Sequence, residues 1–269
     1  MLLVFIAIGA VICIPLVIYI FTRPSVPKKY PIFTLANTIE DHYTGIISQL
    51  RSAASDSLAL YNSYNMEAFT QLVQSIQGKL EQVRKELDGF DLYWKRFERF
   101  KAQASFVLTC KSYSQARRSQ VRSAQHFLSD AIPFVQITDE LRRLQQTAHN
   151  LIVTLQNPES FERISALNTQ TAETHKRLES IQPHHPITTQ YRQYILGFLK
   201  DQQLQLDACF QITPSDTSRL LSVYNEYTDT WSRFNDSHVI DLVNDEFSWQ
   251  IDAYEQAMQE LQRQTDYNS

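Results

Sequence analysis

The stretch that decides the fold is residues 69–90, FTQLVQSIQGKLEQVRKELDGF. Its apolar side chains recur at alternating spacings of three and four, at Phe69, Val73, Ile76, Leu80, Val83, Leu87 and Phe90. This is the a/d repeat of a coiled-coil seam, because such spacing keeps the apolar residues on one face of an α-helix. We therefore predict an amphipathic helix with a heptad seam that packs against other helices or pairs with another chain.

The same helical period continues on both sides of this seam. Apolar residues repeat every three or four positions from Leu35 to Leu50 and from Trp94 to Leu128, and no segment alternates with a period of two. Glycine is scarce, at five residues in 269, and a chain with few turn-forming residues cannot be built from many short strands. The soluble part is therefore predicted to be all-α, an elongated antiparallel helical bundle of seven or eight helices joined by short loops.

Prolines and capping residues predict where the helices end. A helix that includes Trp94 is expected to stop before Pro133, and Thr138, followed by two acidic residues, is expected to cap the next helix. Residues 183–186, Pro-His-His-Pro, predict a tight connection whose two histidines are solvated.

These boundaries divide the chain into four parts. They are an anchor at residues 1–21, a spacer at 22–34, a first helical bundle at 35–156 and a second at 157–269. The two bundles are either stacked or form one continuous domain. An internal duplication would favour stacking, since six positions within residues 97–110 match positions within residues 196–209 at a constant offset of 99, but two helices of the same period also align by chance.

Residues 1–21 contain no charged side chain. About 20 apolar residues are needed to cross a hydrocarbon core of about 30 Å, so this run has the length of a transmembrane helix. A cleaved signal peptide is the alternative, but it would carry a basic start, a shorter apolar core and a small-x-small cleavage site, which this run lacks. We predict a single-pass anchor in the lipid bilayer, followed by a stiff proline-rich spacer.

The charges that flank the anchor predict its orientation. Arg23, Lys28 and Lys29 follow the apolar run and none precedes it. Positive residues favour the cytoplasmic side, which places the bundle in the cytoplasm at the cell membrane. The composition suits an extracytoplasmic bundle equally well, because only 20% of the residues are charged, against about a quarter in typical proteins.

A run of basic residues follows the seam. Glu98 is the one acidic residue among eight cations, which are Lys95, Arg96, Arg99, Lys101, Lys111, Arg117, Arg118 and Arg122. The region after Lys200 is conversely acidic. Either these helices lie side by side with ordinary solvated faces, or the eight cations form a patch for anionic lipid head groups or an acidic partner. Nucleic acid is not expected, because the net charge is −4 and no binding motif is present.

Motifs for catalysis or for metal binding are absent from the sequence. It contains no H-E-x-x-H or E-x-x-H pair, no glycine-rich phosphate loop and no G-x-S-x-G turn. We therefore predict no enzyme, no cofactor and no metal. Cys110 and Cys209 fall on or near apolar faces, and they are expected to form a disulfide only outside the cytoplasm.

Two resemblances concern the layout and one segment. An anchor followed by a helical bundle is similar to the spectrin-like, membrane-anchored regulators of bacterial division, without a diagnostic motif. Leu178, Ile181, Pro183 and Tyr191, followed by a long helix, look like part of the helical domains of Gram-positive cell-surface proteins, over roughly 40 residues. The second resemblance implies an extracytoplasmic location.

These features predict a membrane-anchored scaffold or protein-interaction module without catalytic activity, which binds a protein partner or itself. The alternative is a membrane-tethered sensor with a ligand cavity between its helices. Tyrosine and tryptophan around such a cavity would favour the sensor, whereas a closed core with an exposed apolar seam would favour the scaffold.

Overall fold

The computed structural model describes residues 27–58, 65–152, 160–212, 216–232, 234 and 237–266. In these ranges the chain is all-α, as predicted. Its helices are α1 (Tyr30–Leu58), α2 (Met66–Trp94), α3 (Ala104–Ile152), α4 (Ser160–Ser180), α5 (Pro186–Phe210), α6 (Thr217–Ser232) and α7 (Ser237–Asp266). Two short 3-10 turns, Lys95–Phe97 and Lys101–Gln103, lie between α2 and α3.

The predicted anchor at residues 1–21 lies outside the described residues. Among the helices that are described, none combines the length and the apolar character needed to span a bilayer.

α1 begins within the predicted spacer. Tyr30 is its first residue, and Pro31 stands in its first turn. Proline is tolerated there because the N–H groups of the first turn make no hydrogen bond within the helix. The extended spacer predicted at residues 22–34 is therefore wrong for residues 30–34, while residues 22–26 lie outside the part that is described.

The heptad seam of α2 is buried inside the chain. All seven seam residues are at most 3% exposed, and α1 and α3 pack against α2. At the rim, His42 of α1 hydrogen-bonds Glu86 and Gln49 accepts from Lys79, so α1 and α2 run antiparallel. The seam is thus an internal packing surface, and it is not available to a second chain.

α3 passes through Pro133 without a break. The predicted helix that includes Trp94 and stops before Pro133 is wrong, because the 3-10 turns interrupt the chain after Trp94 and α3 continues to Ile152. An interior proline costs about 3 kcal/mol, since it removes a hydrogen bond and crowds the preceding turn. Its neighbours Phe134 and Val135 are buried, and their packing offsets this cost.

Thr138 lies inside α3 and does not cap a helix start, contrary to the prediction. Its hydroxyl donates to the carbonyl of Ser57 (2.7 Å), and the hydroxyl of Tyr191 in α5 donates to the carbonyl of Leu58 (2.7 Å). These carbonyls stand at the end of α1, where the same helix has no further N–H group to donate to them. Two other helices therefore satisfy the end of α1.

The helices pack in two groups that share α3. α7 contacts the N-terminal half of α3, and α1 and α2 extend along α3 from that half past its middle, while α4 and α6 contact its C-terminal half and α5 packs between them. α7 returns to lie against α1, so the two groups do not coincide with residues 35–156 and 157–269. Residues 97–110 span the break before α3, whereas residues 196–209 lie inside α5, so the sequence match between them is not a structural repeat.

Truncation of a seam side chain should destabilise the fold and leave the oligomeric state of the protein unchanged. Leu80→Ala leaves a cavity in a closed core, which costs about 2–5 kcal/mol and lowers Tm by roughly 5–15 °C in a chain of this size. Leu92→Ala on the same helix removes a side chain that is 68% exposed and should change Tm by less than about 2 °C. Circular dichroism melting of both variants checks this, and equal shifts would contradict the burial of the seam.

Candidate interaction site

The connection between α2 and α3 carries four of the eight predicted basic residues. Lys95 and Arg96 lie on the first 3-10 turn, Lys101 on the second and Arg99 between them, and all four are exposed. None of these four takes part in the ion pairs found among the described residues. Arg96 lies over the ring of Tyr93, and Arg99 over that of Phe100, at about 5 Å from the ring centroids. Such stacking holds the guanidinium groups at the surface.

The start of α1 is bonded to this connection. The hydroxyl of Tyr93 donates to the carbonyl of Lys28 (3.2 Å). The ammonium of Lys29 donates to the carbonyl of Gln264 near the end of α7 (3.3 Å) and lies 4.5 Å from the ring centroid of Phe106. The start of α1, the end of α2, the start of α3 and the end of α7 therefore meet at one end of the molecule.

We call this the basic end, defined by Lys28, Lys29, Lys95, Arg96, Arg99 and Lys101. A cleft of about 440 Å³ opens here between Lys29 and Arg263, with Phe106 in its wall. Partial burial lowers the pKa of Lys29, and Glu260 forms an ion pair with Arg263. Three of the most exposed large apolar side chains lie within about two helical turns of this end, namely Tyr30 (71%), Leu92 (68%) and Leu108 (65%).

The other four predicted cations do not belong to the basic end. Lys111 and Arg122 are exposed farther along α3. Arg118 is bound to Asp88 and Asp91 of α2, at 2.7 Å to each carboxylate. Arg117 is only 3% exposed and pairs with Glu40, so its inclusion in a surface patch is a wrong prediction. The helical period of a basic segment turns some of its cations toward the core.

Arg117 and Glu40 form a buried ion pair between α3 and α1. The guanidinium contacts both carboxylate oxygens of Glu40, and the hydroxyl of Tyr113 donates to the same carboxylate (2.5 Å). Arg117 also lies over the ring of Tyr43, 4.3 Å from its centroid. Burial raises the pKa of Glu40, while Arg117 and Tyr113 act to lower it. This arrangement fixes the register of the two helices.

A second buried polar cluster joins α3 to the start of α5. Asp130, 3% exposed, accepts hydrogen bonds from the backbone N–H groups of His184 and His185 (2.8 Å each) and from the hydroxyl of Thr188 (2.5 Å). His185 is buried and caps α5, so the predicted solvated turn is wrong at this residue; the side chain of His184 remains exposed. Two histidines between prolines gave no signal that a distant aspartate would hold them.

His185 and Ser123 do not form a nucleophile and its base. The Nδ1 atom of His185 accepts from the backbone N–H of Ile187 (3.3 Å), so the ring proton is on Nε2 and is donated to the Ser123 hydroxyl (3.0 Å). A base would need an unprotonated nitrogen facing that hydroxyl. Burial lowers the pKa of His185, which keeps the ring in the neutral form. The cluster is built for structure.

Open clefts lie between the helices at the surface. One of about 530 Å³ lies between α3 and α4 and is lined by residues that include Arg143, Thr147 and Gln170. Trp231 lines a cleft of about 390 Å³ between α3 and α6, and tyrosine lines none of the five clefts that we find. None of these five clefts is the cavity lined by tyrosine and tryptophan that the sensor alternative predicts.

Two cysteines of the described residues lie in the core. Cys110 on α3 and Cys209 on α5 are buried free thiols, so the conditional disulfide is not formed. Burial raises the pKa of Cys110 to about 12 and that of Cys209 to about 11, which keeps both thiols protonated at neutral pH. Within the residues that the structure describes, no group of three or more His, Cys, Asp or Glu side chains has the geometry of a metal site.

The buried ion pair should behave as one unit. Arg117→Met leaves the Glu40 carboxylate buried without its cation and should cost about 3–5 kcal/mol, whereas the double variant Glu40→Met/Arg117→Met should cost less than either single variant. Denaturant unfolding of the four proteins measures this coupling. Additive costs would show that the two side chains do not stabilise each other.

Protonation of His185 should contribute to the pH dependence of the free energy of unfolding. Its folded pKa is lowered below that of the unfolded chain, so stability is fully present above about pH 6.5 and is lost as pH falls through the folded pKa. His185→Asn keeps an N-cap acceptor and removes the titrating ring. The difference in Tm between wild type and this variant should therefore change in favour of the variant from about pH 7.5 to about pH 5.5. Parallel curves over that range would refute this role of His185.

Comparison with known proteins adds no family to this geometry. No family model matches the chain, and no curated protein and no solved structure shows significant similarity to it. The function proposed for the chain therefore depends on its own residues.

Proposed function

We propose that this chain is a non-catalytic helical scaffold that an anchor at residues 1–21 holds at the cell membrane. The observation that carries this proposal is the attachment of Lys28 and Lys29 to the body of the bundle. These residues lie a few positions after the apolar run. A bundle bonded to the segment that follows its anchor has a defined orientation at the membrane, as a scaffold requires.

The geometry of α3 supports the same proposal. This helix has 49 residues and is about 74 Å long, and it begins at the basic end. A chain anchored at that end would carry α4, α5 and α6 on the far half of α3. The open groove between α3 and α4 would then face a protein partner or a second copy away from the bilayer.

The buried polar chemistry supports a role without catalysis. The Ser123–His185 pair has the tautomer opposite to that of an activated nucleophile, and Asp130 and Glu40 are occupied by structural donors. For the location, we keep the cytoplasmic side, because positive residues follow the apolar run and none precedes it.

Fractionation and labelling of intact cells test the anchor and its orientation. The full chain should stay in the membrane pellet after alkaline carbonate washing, whereas a chain that lacks residues 1–21 should appear in the supernatant. A Ser269→Cys probe, in a background without native cysteines, should react with a membrane-impermeant maleimide only after lysis.

Other results of these two experiments would contradict either the anchor or its orientation. Release of the full chain by carbonate, or a mature protein shortened by about 21 residues, would refute the anchor. Labelling in intact cells would place the bundle outside the cytoplasm and leave the anchor standing.

A further inference from the structure

We infer that the basic end is a docking surface for the anionic lipid head groups of the bilayer in which residues 1–21 are anchored. This inference deepens the proposed function and rests on it. Its occupant is the membrane surface itself, and four independent observations lead to it.

The first observation is the charge of the basic end. Lys95, Arg96, Arg99 and Lys101 are exposed, close together in the chain, and outside the ion pairs of the described residues. Lys28 adds a further exposed cation at the same end, beside Tyr93. A lysine or arginine near an anionic membrane surface strengthens binding about fivefold, so five such cations are a strong electrostatic attachment.

The second observation is the apolar surface among these cations. Tyr30, Leu92 and Leu108 are each at least 65% exposed. Leu92 is one turn from Lys95, and Tyr30 follows Lys29 directly. Apolar side chains interspersed with lysine and arginine are typical of surfaces that enter the boundary between head groups and acyl chains.

The third observation is the length of chain between the anchor and the bundle. Five residues, 22–26, separate Phe21 from Pro27, so the two positions are six residue steps apart and a fully extended chain between them spans about 20 Å. An anchored bundle therefore cannot move its α1 start farther than this from the membrane interface. The surface that lies around that start is the basic end.

The fourth observation is that the basic end is built as one rigid unit. The bond from Tyr93 to the Lys28 carbonyl and the bond from Lys29 to the Gln264 carbonyl tie α1 to α2 and α7. Gln264 in turn donates to Thr109 of α3 (3.2 Å). Because a short segment connects Lys28 to the anchor, these bonds keep the cations of the α2–α3 connection near the membrane surface as well.

The test measures the approach of Leu92 to the membrane in the full chain. The native cysteines at positions 13, 110 and 209 are replaced by alanine, and Leu92→Cys carries an environment-sensitive fluorophore. The protein is placed in nanodiscs of phosphatidylcholine alone or of equal parts phosphatidylcholine and phosphatidylglycerol, each with a head-group quencher. A second probe, Gln136→Cys, is exposed on α3 about 48 Å from the start of that helix, and it reports on the half of the molecule that is distant from the basic end.

We expect strong quenching at position 92 in the anionic discs, weaker quenching in the neutral discs, and little at position 136 in either. High salt should reduce the quenching at position 92, because it screens exposed charges. Charge reversal by Lys95→Glu, Arg96→Glu, Arg99→Glu and Lys101→Glu should lower the ratio of docked to undocked protein at least tenfold.

A matched variant controls for net charge. Arg122→Glu, Lys176→Glu, Lys200→Glu and Arg219→Glu make the same change in total charge at exposed positions away from the basic end, and should leave the quenching at position 92 unchanged. Circular dichroism of both variants should match that of wild type, so that any loss of docking is not a loss of fold.

The outcomes separate this inference from the anchor. A chain that does not stay with the discs overturns the anchor and the docking together. A chain that stays, but is quenched equally at positions 92 and 136 or equally in both lipids, overturns only the docking. Quenching that survives charge reversal also overturns it, and would assign the exposed cations to an acidic protein partner.

Discussion

The whole structure depends on α3 remaining one helix through Pro133. Both groups of helices pack against it, and α1 and α5 meet beside its middle, where Thr138 and Tyr191 satisfy the last carbonyls of α1. A break at Pro133 would separate those contacts from the ion pair at Arg117. The buried side chains around the proline hold the helix together against its local preference, because packing energy exceeds the loss of one hydrogen bond.

The buried polar groups give the bundle its register. Apolar seams alone permit helices to slide by a turn at small cost, whereas a buried carboxylate must meet particular donors. Glu40 meets Arg117 and Tyr113, which sets α1 against α3. Asp130 meets the N–H groups of residues 184 and 185, which sets the start of α5 against α3. Side chains that resemble catalytic groups in type are thus used to position helices.

The two ends of α3 differ in chemical character. Its start lies among exposed cations and apolar side chains, and the segment that continues from the predicted anchor is bonded there. Its far half packs against α4, α5 and α6, with open clefts between these helices. This difference is what the scaffold we propose would need, with the basic end at the lipid surface and the far half of α3 in water.

The sequence by itself determined the helical class and the core face of α2, because both depend on a local period that neighbours in the chain express. It also located the four cations of the α2–α3 connection. Only the tertiary structure decided that α3 passes Pro133, that Thr138 and His185 are buried, and that Arg117 belongs to the core. Each of these depends on a partner many residues away, such as Glu40 for Arg117 or Asp130 for His185, and a local pattern carries no information about that distance.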